Sequence, residues 1–236
     1  MSRREDILAE MGLAPVWVLR NAKSPGSALP GSDSPQSESP GPISGAPSGW
    51  IELKQAVPAC TACGLHKTRT QTVFGVGDEN ADWMLIGEAP GAEEDRLGDP
   101  FVGQAGKLLD NMLAAIGLGR AKNVYIANVL KCRPPGNRNP EPDEVAKCTP
   151  FLLQQINLIQ PKLILAMGRF AAQTLLATDA SIASLRGRVH RYAGVPLIVT
   201  YHPAYLLRSL PDKAKAWEDL LFAKKIFGSR QEVPIP

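Results

Sequence analysis

The chain has 236 residues, of which 44% are apolar and 21% are charged, and its formal net charge is +3. A chain of this size can bury a substantial core, and no apolar run approaches the roughly 20 residues that a membrane-spanning helix needs. The N-terminus lacks the apolar core of a secretory signal, and the weakly basic charge does not by itself indicate a nucleic-acid partner. We therefore expect a cytoplasmic protein whose partner has to be inferred from a site.

Residues 1–22 are predicted to contain one short amphipathic helix, with Ile7, Leu8 and Met11 on the same side. From residue 23 to residue 49, 19 of 27 residues are Ser, Pro or Gly. Such a composition buries too little apolar surface to offset the entropy of ordering, so we expect a disordered linker. A short apolar helix on a long linker suggests binding to a protein partner, and the folded domain is expected over residues 50–236.

The rest of the chain alternates between two apolar patterns. Strand-length apolar runs occur at residues 83–86, 124–130, 163–167 and 197–201. Helical spacing of apolar residues occurs at residues 107–116, 142–159, 170–176 and 212–227. This order predicts an α/β fold with three layers, in which helices cover both faces of a central four-stranded, mostly parallel sheet.

Polar side chains follow the predicted strands where each strand ends. They are Glu88 after the first strand, Asn128 on the second, Arg169 after the third and His202 after the fourth. Ligands of open parallel sheets bind beyond the carboxyl ends of the strands, so we expect a carboxylate, an amide and an imidazole to meet there. The alternative is that the acidic loop after the first strand is only a solvated connection to the next helix.

The four cysteines form a C-x2-C pair, Cys60 and Cys63, followed by the more distant Cys132 and Cys148. Disulfides are disfavoured because a chain without a secretory signal stays in a reducing compartment. Structural zinc usually takes two close pairs, whereas an iron-sulfur cluster tolerates looser spacing. The spacing therefore indicates a metal site that joins distant segments, and it does not choose the metal.

Four motifs occur in order along the domain: GEAPG at 87–91, PFVG at 100–103, NVLKCRPP at 128–135 and HPAYLLR at 202–208. With the four cysteines, they resemble the family 4 uracil-DNA glycosylases, the bacterial and archaeal iron-sulfur type, over about residues 50–228. The resemblance implies a monomeric enzyme of base excision repair that acts on the DNA of the nucleoid. Such an enzyme flips uracil out of uracil-containing DNA, hydrolyses its N-glycosidic bond and leaves an abasic site. A structural 4Fe-4S cluster on Cys60, Cys63, Cys132 and Cys148 is also implied.

The resemblance also assigns roles to site residues. It implies that Phe101 stacks on the flipped base and that Asn128 accepts from uracil N3–H while donating to O4. It implies that His202 donates to uracil O2, and that Glu88 orients the attacking water or supports the oxocarbenium-like transition state. Ala89 stands where the best-known uracil glycosylases carry an aspartate, so Glu88 is not simply assigned as a general base. The implied substrate-binding residues are Gly87, Ala89, Pro90, Gly91, Phe101 and Asn128.

The motif at 202–208 implies contacts to the DNA itself. Leu206 or Leu207 is expected to act as a wedge, filling the gap that the flipped nucleotide leaves, while Arg208 holds a phosphate or a base. Expected phosphate contacts are Lys131, Arg133, Arg138, Arg186 and Arg188. The alternatives are a superfamily variant that acts on other deaminated bases and a non-catalytic, metal-bound DNA-binding module.

Overall fold

The computed structural model describes residues 49–231, and their side chains through Ser229. The helix predicted within residues 1–22 and the linker predicted up to residue 49 lie outside the described residues, apart from Gly49 itself. The first described helix is α1 (Trp50–Ala59). None of the helices between residues 49 and 231 combines the length and the apolar character needed to cross a membrane.

The remaining elements are six strands and seven helices within residues 49–231. The strands are β1 (Val76–Gly77), β2 (Trp83–Gly87), β3 (Val124–Asn128), β4 (Leu163–Met167), β5 (His190–Tyr192) and β6 (Val195–Thr200). The helices after α1 are α2 (Ala92–Leu97), α3 (Gln104–Ala115), α4 (Pro142–Ile159), α5 (Arg169–Leu176), α6 (Ile182–Leu185), α7 (Pro203–Leu206) and α8 (Asp212–Gln231). Short 3-10 turns occupy Gly64–Lys67 and Pro135–Asn137.

The strands form one six-stranded sheet in the order β1-β3-β2-β4-β6-β5. Strands β2, β3, β4 and β6 are parallel to one another, which confirms the predicted α/β class and its parallel four-stranded centre. The two edge strands, β1 and β5, pair antiparallel and were not predicted. They span two and three residues and are only partly buried, so neither produces a strand-length apolar run.

Helices cover both faces of the sheet because alternate residues of its strands point to opposite sides. On one face, Met84 and Ile86 of β2 belong to a buried cluster with Leu152 and Ile156 of α4. On the other face, Leu85 packs in a cluster with residues of α3 and α8. The strands β2, β3 and β4 are buried along their whole length, which explains why they read as continuous apolar runs.

The topology places β2 between β3 and β4, so the chain crosses over β2 on its way from β3 to β4. The direction in which strands are added therefore reverses beside β2, which creates a crevice at the carboxyl ends of these strands. Glu88 directly follows β2 and Asn128 is the last residue of β3. The polar strand-end residues consequently open onto this crevice.

Candidate active site

A cavity of about 500 Å³ lies at the carboxyl edge of the parallel strands. Its walls come from the turn after β2, the loop before α3, the end of β3, the loop before α4 and the start of α7. The sequence-predicted residues that line it are Glu88, Ala89, Pro90, Gly91, Phe101, Asn128, Arg138, His202 and Arg208. Gly87 lies behind them at the end of β2. The structure thus brings the predicted catalytic and base-contacting residues together.

Asn128 contributes a buried polar atom to this cavity. Only 2% of the residue is exposed, and among the described residues its Oδ1 atom has no hydrogen-bond partner. A buried acceptor without a partner costs about 1 to 3 kcal/mol, which a ligand with an N–H donor would recover. The main-chain oxygen of Asn128, in contrast to its side-chain oxygen, has a partner: it accepts a 3.0 Å hydrogen bond from the Lys131 Nζ.

The rings of Phe101 and His202 stack on each other at the cavity. The ring centroids are 5.4 Å apart and the ring planes meet at 29°. Phe101 is buried with a φ of +56°, a left-handed conformation that is uncommon for a bulky residue and costs on the order of 1 to 3 kcal/mol. Gly168 gives His202 its room, because a Cβ at that position would lie 2.9 Å from the His202 Cβ.

The hydrogen bonds of His202 determine which ring nitrogen carries the proton. The backbone N–H of Ala204 donates to the His202 Nδ1 over 3.1 Å, where the ring also caps α7. In the neutral ring the proton therefore lies on Nε2. Burial lowers the pKa of His202 to about 4, with the charge of Arg208 acting in the same direction and that of Glu94 against it. His202 is thus a neutral donor through Nε2 near pH 7.

A main-chain hydrogen bond fixes Glu88 just beyond the end of β2. Its carbonyl oxygen accepts from the Leu130 N–H over 3.1 Å, so the residue extends the pairing of β2 with the segment after β3. The side chain is partly buried, and this burial raises the pKa of the carboxyl group, while the positive charge of Arg169 opposes the rise. Arg169 is exposed at the start of α5, and its effect on the Glu88 pKa is the electrostatic one of its positive charge.

Glu94 is a site residue that the sequence reasoning did not single out. Its carboxylate accepts from the Gly91 N–H over 3.1 Å and from the Val102 N–H over 3.0 Å. It therefore ties the turn after β2 to the loop that carries Phe101. The sequence does contain a pattern that indicates this residue: a glutamate three residues after Gly91 has the spacing of a side chain that caps the start of a helix.

The cavity has a further wall that was not predicted, formed by the loop between Cys132 and α4. Its lining residues are Pro134, Asn137, Arg138 and Asn139. Arg138 pairs with Glu144 at 2.6 Å and with Glu141 at 3.3 Å, so its guanidinium is fixed against the start of α4. Nothing in the sequence of this Pro-rich loop indicates that it folds back over the strand ends.

Three of the predicted DNA contacts are wrong. Lys131 is only 1% exposed, and its Nζ donates to the Asn128 and Gln155 oxygens within the core. Leu206 is also 1% exposed, because it packs with Tyr201 and Ala216. The Arg186 guanidinium lies over the Tyr201 ring at 5.0 Å and pairs with Asp219 at 2.7 Å.

Of the other predicted DNA contacts, Arg138 lines the cavity and is paired with Glu144, and four more lie at or near the surface. Leu207 is 43% exposed and directly follows α7. Arg208 is exposed beside the cavity, where its guanidinium donates to the Ala204 oxygen over 3.0 Å. Arg188 is exposed, and Arg133 is partly buried with a 2.7 Å hydrogen bond to Asn137. These four side chains remain available to DNA.

All four cysteines line one second cavity, between the loop after α1 and the start of α4. None of them forms a disulfide. The Arg69 guanidinium donates to the Cys132 Sγ over 3.0 Å, and the Lys131 N–H donates to the Cys148 Sγ over 3.2 Å. Burial raises the pKa of Cys148 to about 11, against the opposing charge of Lys131. Within the described residues, no three His, Cys, Asp or Glu side chains are arranged to hold a single metal ion.

Comparison with known proteins finds chains of similar sequence. Residues 74–221 match the sequence model of the uracil DNA glycosylase superfamily. The type-4 uracil-DNA glycosylase of Archaeoglobus fulgidus is 47% identical over 164 residues, which cover 66% of this chain and 82% of that protein. The type-4 enzyme of Thermotoga maritima is 43% identical over 176 residues, covering 73% and 91%. A type-5 uracil-DNA glycosylase of Pyrobaculum aerophilum is 33% identical over 146 residues, covering 55% and 64%.

Proposed function

The chain belongs to the uracil-DNA glycosylase superfamily, and we propose that it works as a type-4 enzyme of DNA repair. In this function it binds uracil flipped out of DNA, hydrolyses the bond between uracil and deoxyribose, and leaves an abasic site without cutting the strand. An enzyme that acts on a base within DNA has to take the base out of the stack and read its edge in a pocket. The cavity beyond β2 and β3 is suited to this task.

The observation that carries the proposal is the unpartnered Oδ1 atom of Asn128 in this cavity. Uracil presents an N3–H donor that this acceptor can bind. Cytosine has an unprotonated N3 at the same place and would leave Asn128 Oδ1 unpaired, at a cost of about 1 to 3 kcal/mol. The Phe101 ring beside Asn128 offers an aromatic face for stacking, which contributes about 1 to 3 kcal/mol per base.

Bond cleavage produces a uracil anion, and His202 is the donor for its O2 oxygen. The ring is neutral and its Nδ1 is already occupied by the Ala204 N–H, so the Nε2–H is the group that turns to the substrate. A preorganised donor directed at developing negative charge lowers the barrier by about 2.7 to 4 kcal/mol. A neutral donor also places no full positive charge beside Arg208 before the substrate arrives.

Glu88 supplies the carboxylate of the site. It lines the cavity together with His202, and when ionised it either orients the attacking water or stabilises the positive charge on the sugar. Its raised pKa means that this ionised form is lost at a higher pH than for an exposed glutamate. Activity in wild type should therefore begin to fall at a higher pH than an exposed glutamate would give, and this acidic fall should be absent from the pH profile of Glu88→Gln.

We also propose that Cys60, Cys63, Cys132 and Cys148 hold a 4Fe-4S cluster. The residues fit such a group, because four thiols line one cavity and two of the sulfurs already accept N–H hydrogen bonds of the kind that ligating thiolates receive. When bound, the cluster supplies four metal–sulfur bonds and no redox step in the reaction. The loop from Cys132 to α4 would then be anchored at both ends, and this loop is also a wall of the uracil cavity.

The direct test is release of uracil by the purified protein. A uracil-containing oligonucleotide should lose its base while the strand remains intact until it is treated with alkali. Binding without base release would show a non-catalytic DNA-binding module and would reject the proposal. Release of another deaminated base but not of uracil would reject the assigned substrate.

We propose that the protein acts as a monomer in the cytoplasm, on nucleoid DNA, and that residues 1–22 bind a protein partner. Deletion of residues 1–49 should leave uracil release from a short oligonucleotide unchanged, since no catalytic residue lies there. Loss of activity in the deleted protein would contradict this assignment, and gel filtration would test the monomer.

A further inference from the structure

The main chain of Phe101 is held by contacts that its own sequence neighbourhood does not supply. Its φ of +56° is a conformation that a phenylalanine adopts only when the surroundings impose it. The residue lies between α2 and α3, in a loop with Pro100 on one side and Val102 on the other. The contacts that impose this conformation should therefore come from elsewhere in the fold.

Arg120, in the loop between α3 and β3, makes these contacts. Its guanidinium donates to the Pro100 oxygen over 2.8 Å and to the Phe101 oxygen over 2.5 Å. A third donor of the same group, Nε, binds Asp110 of α3 over 2.5 Å. The planar guanidinium thus joins two successive carbonyl groups of the Phe101 loop to a carboxylate on a regular helix.

The surroundings are built for this arrangement. A Cβ on Gly106 would lie 1.7 Å from the Phe101 oxygen and 3.0 Å from the Arg120 Nη2, so α3 has its glycine where the carbonyl group and the arginine meet. On the other side of the aromatic residue, the Glu94 carboxylate accepts from the Val102 N–H over 3.0 Å. The peptide group after Phe101 is consequently fixed by side chains of opposite charge, with Arg120 on its oxygen and Glu94 on its N–H.

We propose that Arg120 is a positioning residue for base binding: it holds Phe101 in the left-handed conformation that presents the ring to the flipped base. This inference rests on the proposed function, because it takes Phe101 as the stacking face for uracil. Arg120 does not line the uracil cavity and touches the substrate only through Phe101. A lysine cannot replace it, since one ammonium group lacks the planar fork that reaches two carbonyl oxygens and a carboxylate together.

The experiment compares Arg120→Ala and Arg120→Lys with wild type in two binding measurements. The first is inhibition by free uracil, which depends on stacking, and the second is affinity for DNA that contains an abasic site, which has no base to stack. The matched control is Arg96→Ala, because the Arg96 guanidinium forms only an exposed ion pair with Glu93 among the described residues.

Both Arg120 variants should bind free uracil more weakly and show a higher KM for uracil-DNA, by about 5-fold or more, as loss of one stacked base predicts. Their affinity for abasic DNA should stay within about 2-fold of wild type, and Arg96→Ala should match wild type throughout. Unchanged uracil inhibition, or an equal loss of uracil and abasic-DNA binding, would overturn the inference. Arg120→Lys keeps the positive charge and serves if the alanine variant does not fold.

A double-mutant cycle with Phe101→Ala separates positioning from a general effect on the fold. If Arg120 acts through the Phe101 ring, adding Arg120→Ala to Phe101→Ala should change uracil inhibition by less than about 2-fold. A full additional loss in the double variant would overturn the inference. Failure of wild type to release uracil would instead reject the proposed function, so the two outcomes are distinguishable.

Discussion

Gly87 lies directly opposite Asn128 in the parallel pairing of β2 with β3. A Cβ on Gly87 would come within 2.4 Å of the Asn128 Oδ1 and within 2.8 Å of the Phe101 ring. The amide proposed to read the base and the aromatic ring proposed to stack on it therefore lie next to the same Cβ position, and only a glycine leaves that space open.

The first prediction follows for Gly87→Ala. The added methyl group should displace Asn128 or Phe101 by about 1 Å, which is enough to lower kcat/KM for uracil release by about 100-fold. Gly119→Ala is the matched control, because a Cβ there meets nothing within 4 Å, and it should retain wild-type kinetics. Wild-type activity in Gly87→Ala would show that the spacing of Asn128 and Phe101 is not critical.

His202→Ala removes the proposed donor to the leaving group. Single-turnover uracil release should slow by about 100- to 1000-fold, whereas binding of uracil-DNA should weaken much less, because the donor acts mainly on developing charge. His190→Ala offers the control, since His190 lies on the edge strand β5 and its Nε2 contacts the Leu185 oxygen. A rate in His202→Ala within 10-fold of wild type would contradict the assigned function of His202.

Leu206 and Leu207 are neighbours with opposite environments, and their alanine variants should fail in different assays. Leu206→Ala should lower the free energy of unfolding by about 2 to 5 kcal/mol, since the side chain is buried. Leu207→Ala should leave stability unchanged within about 0.5 kcal/mol. It should lower kcat/KM on duplex substrate by about 10-fold and spare single-stranded substrate, where no gap needs filling. Equal losses on both substrates would reject Leu207 as the wedge.

The low pKa of His202 predicts a pH dependence of stability. Its folded-state pKa of about 4 lies below the ordinary 6.5, so the unfolded chain binds a proton between these values that the folded chain does not. This contribution is therefore present above pH 6.5 and is lost as the pH falls towards 4. Between pH 8 and pH 5 it amounts to about 2 kcal/mol of unfolding free energy.

Urea unfolding of wild type and His202→Gln at several pH values measures this contribution as the difference between the two proteins. The variant should lose less stability than wild type on acidification, because glutamine does not titrate. Parallel pH profiles would show that the His202 pKa is not lowered by the fold.

The cysteine site predicts a coloured protein. Anaerobically purified wild type should show broad visible absorption and contain iron, and Cys148→Ser should lose both. Thr149→Ser is a close control, because a serine retains the hydroxyl that bonds the Val145 oxygen at 2.7 Å. A colourless wild type that contains zinc would contradict the iron-sulfur assignment.

Much of the architecture was predictable because burial on both faces of a parallel sheet produces continuous apolar runs. The runs ending near Ile86 and Met167 were recognised for this reason, and α4 was predicted with its observed bounds. The strand-end rule then indicated that Glu88, Asn128 and His202 face one crevice. The edge strands β1 and β5 escaped prediction because short, half-exposed strands carry no such pattern.

The environments of individual charged and apolar side chains were not predictable. Lys131 and Arg186 look like phosphate contacts in the sequence, yet both are committed to partners within the fold. Leu206 and Leu207 are chemically identical, and only the packing of α7 against α3, Tyr201 and Ala216 determines which of them is buried. The sequence did not indicate a function for Arg120, because the carbonyl groups that it binds belong to Phe101 and Pro100, which are 19 and 20 residues away in the chain.

The sequence alone determined the α/β class, the order of the elements and the residue types at the strand ends, because these depend on local patterns of burial and on motifs in order. Only the tertiary structure decided which side chains line the cavity, which are exposed at the surface, and which contacts hold Phe101. These properties depend on contacts between segments far apart in the chain. Packing leaves the Asn128 Oδ1 without a partner, directs the His202 proton to Nε2 and joins Arg120 to the Phe101 carbonyl group. No single segment of the sequence specifies these contacts.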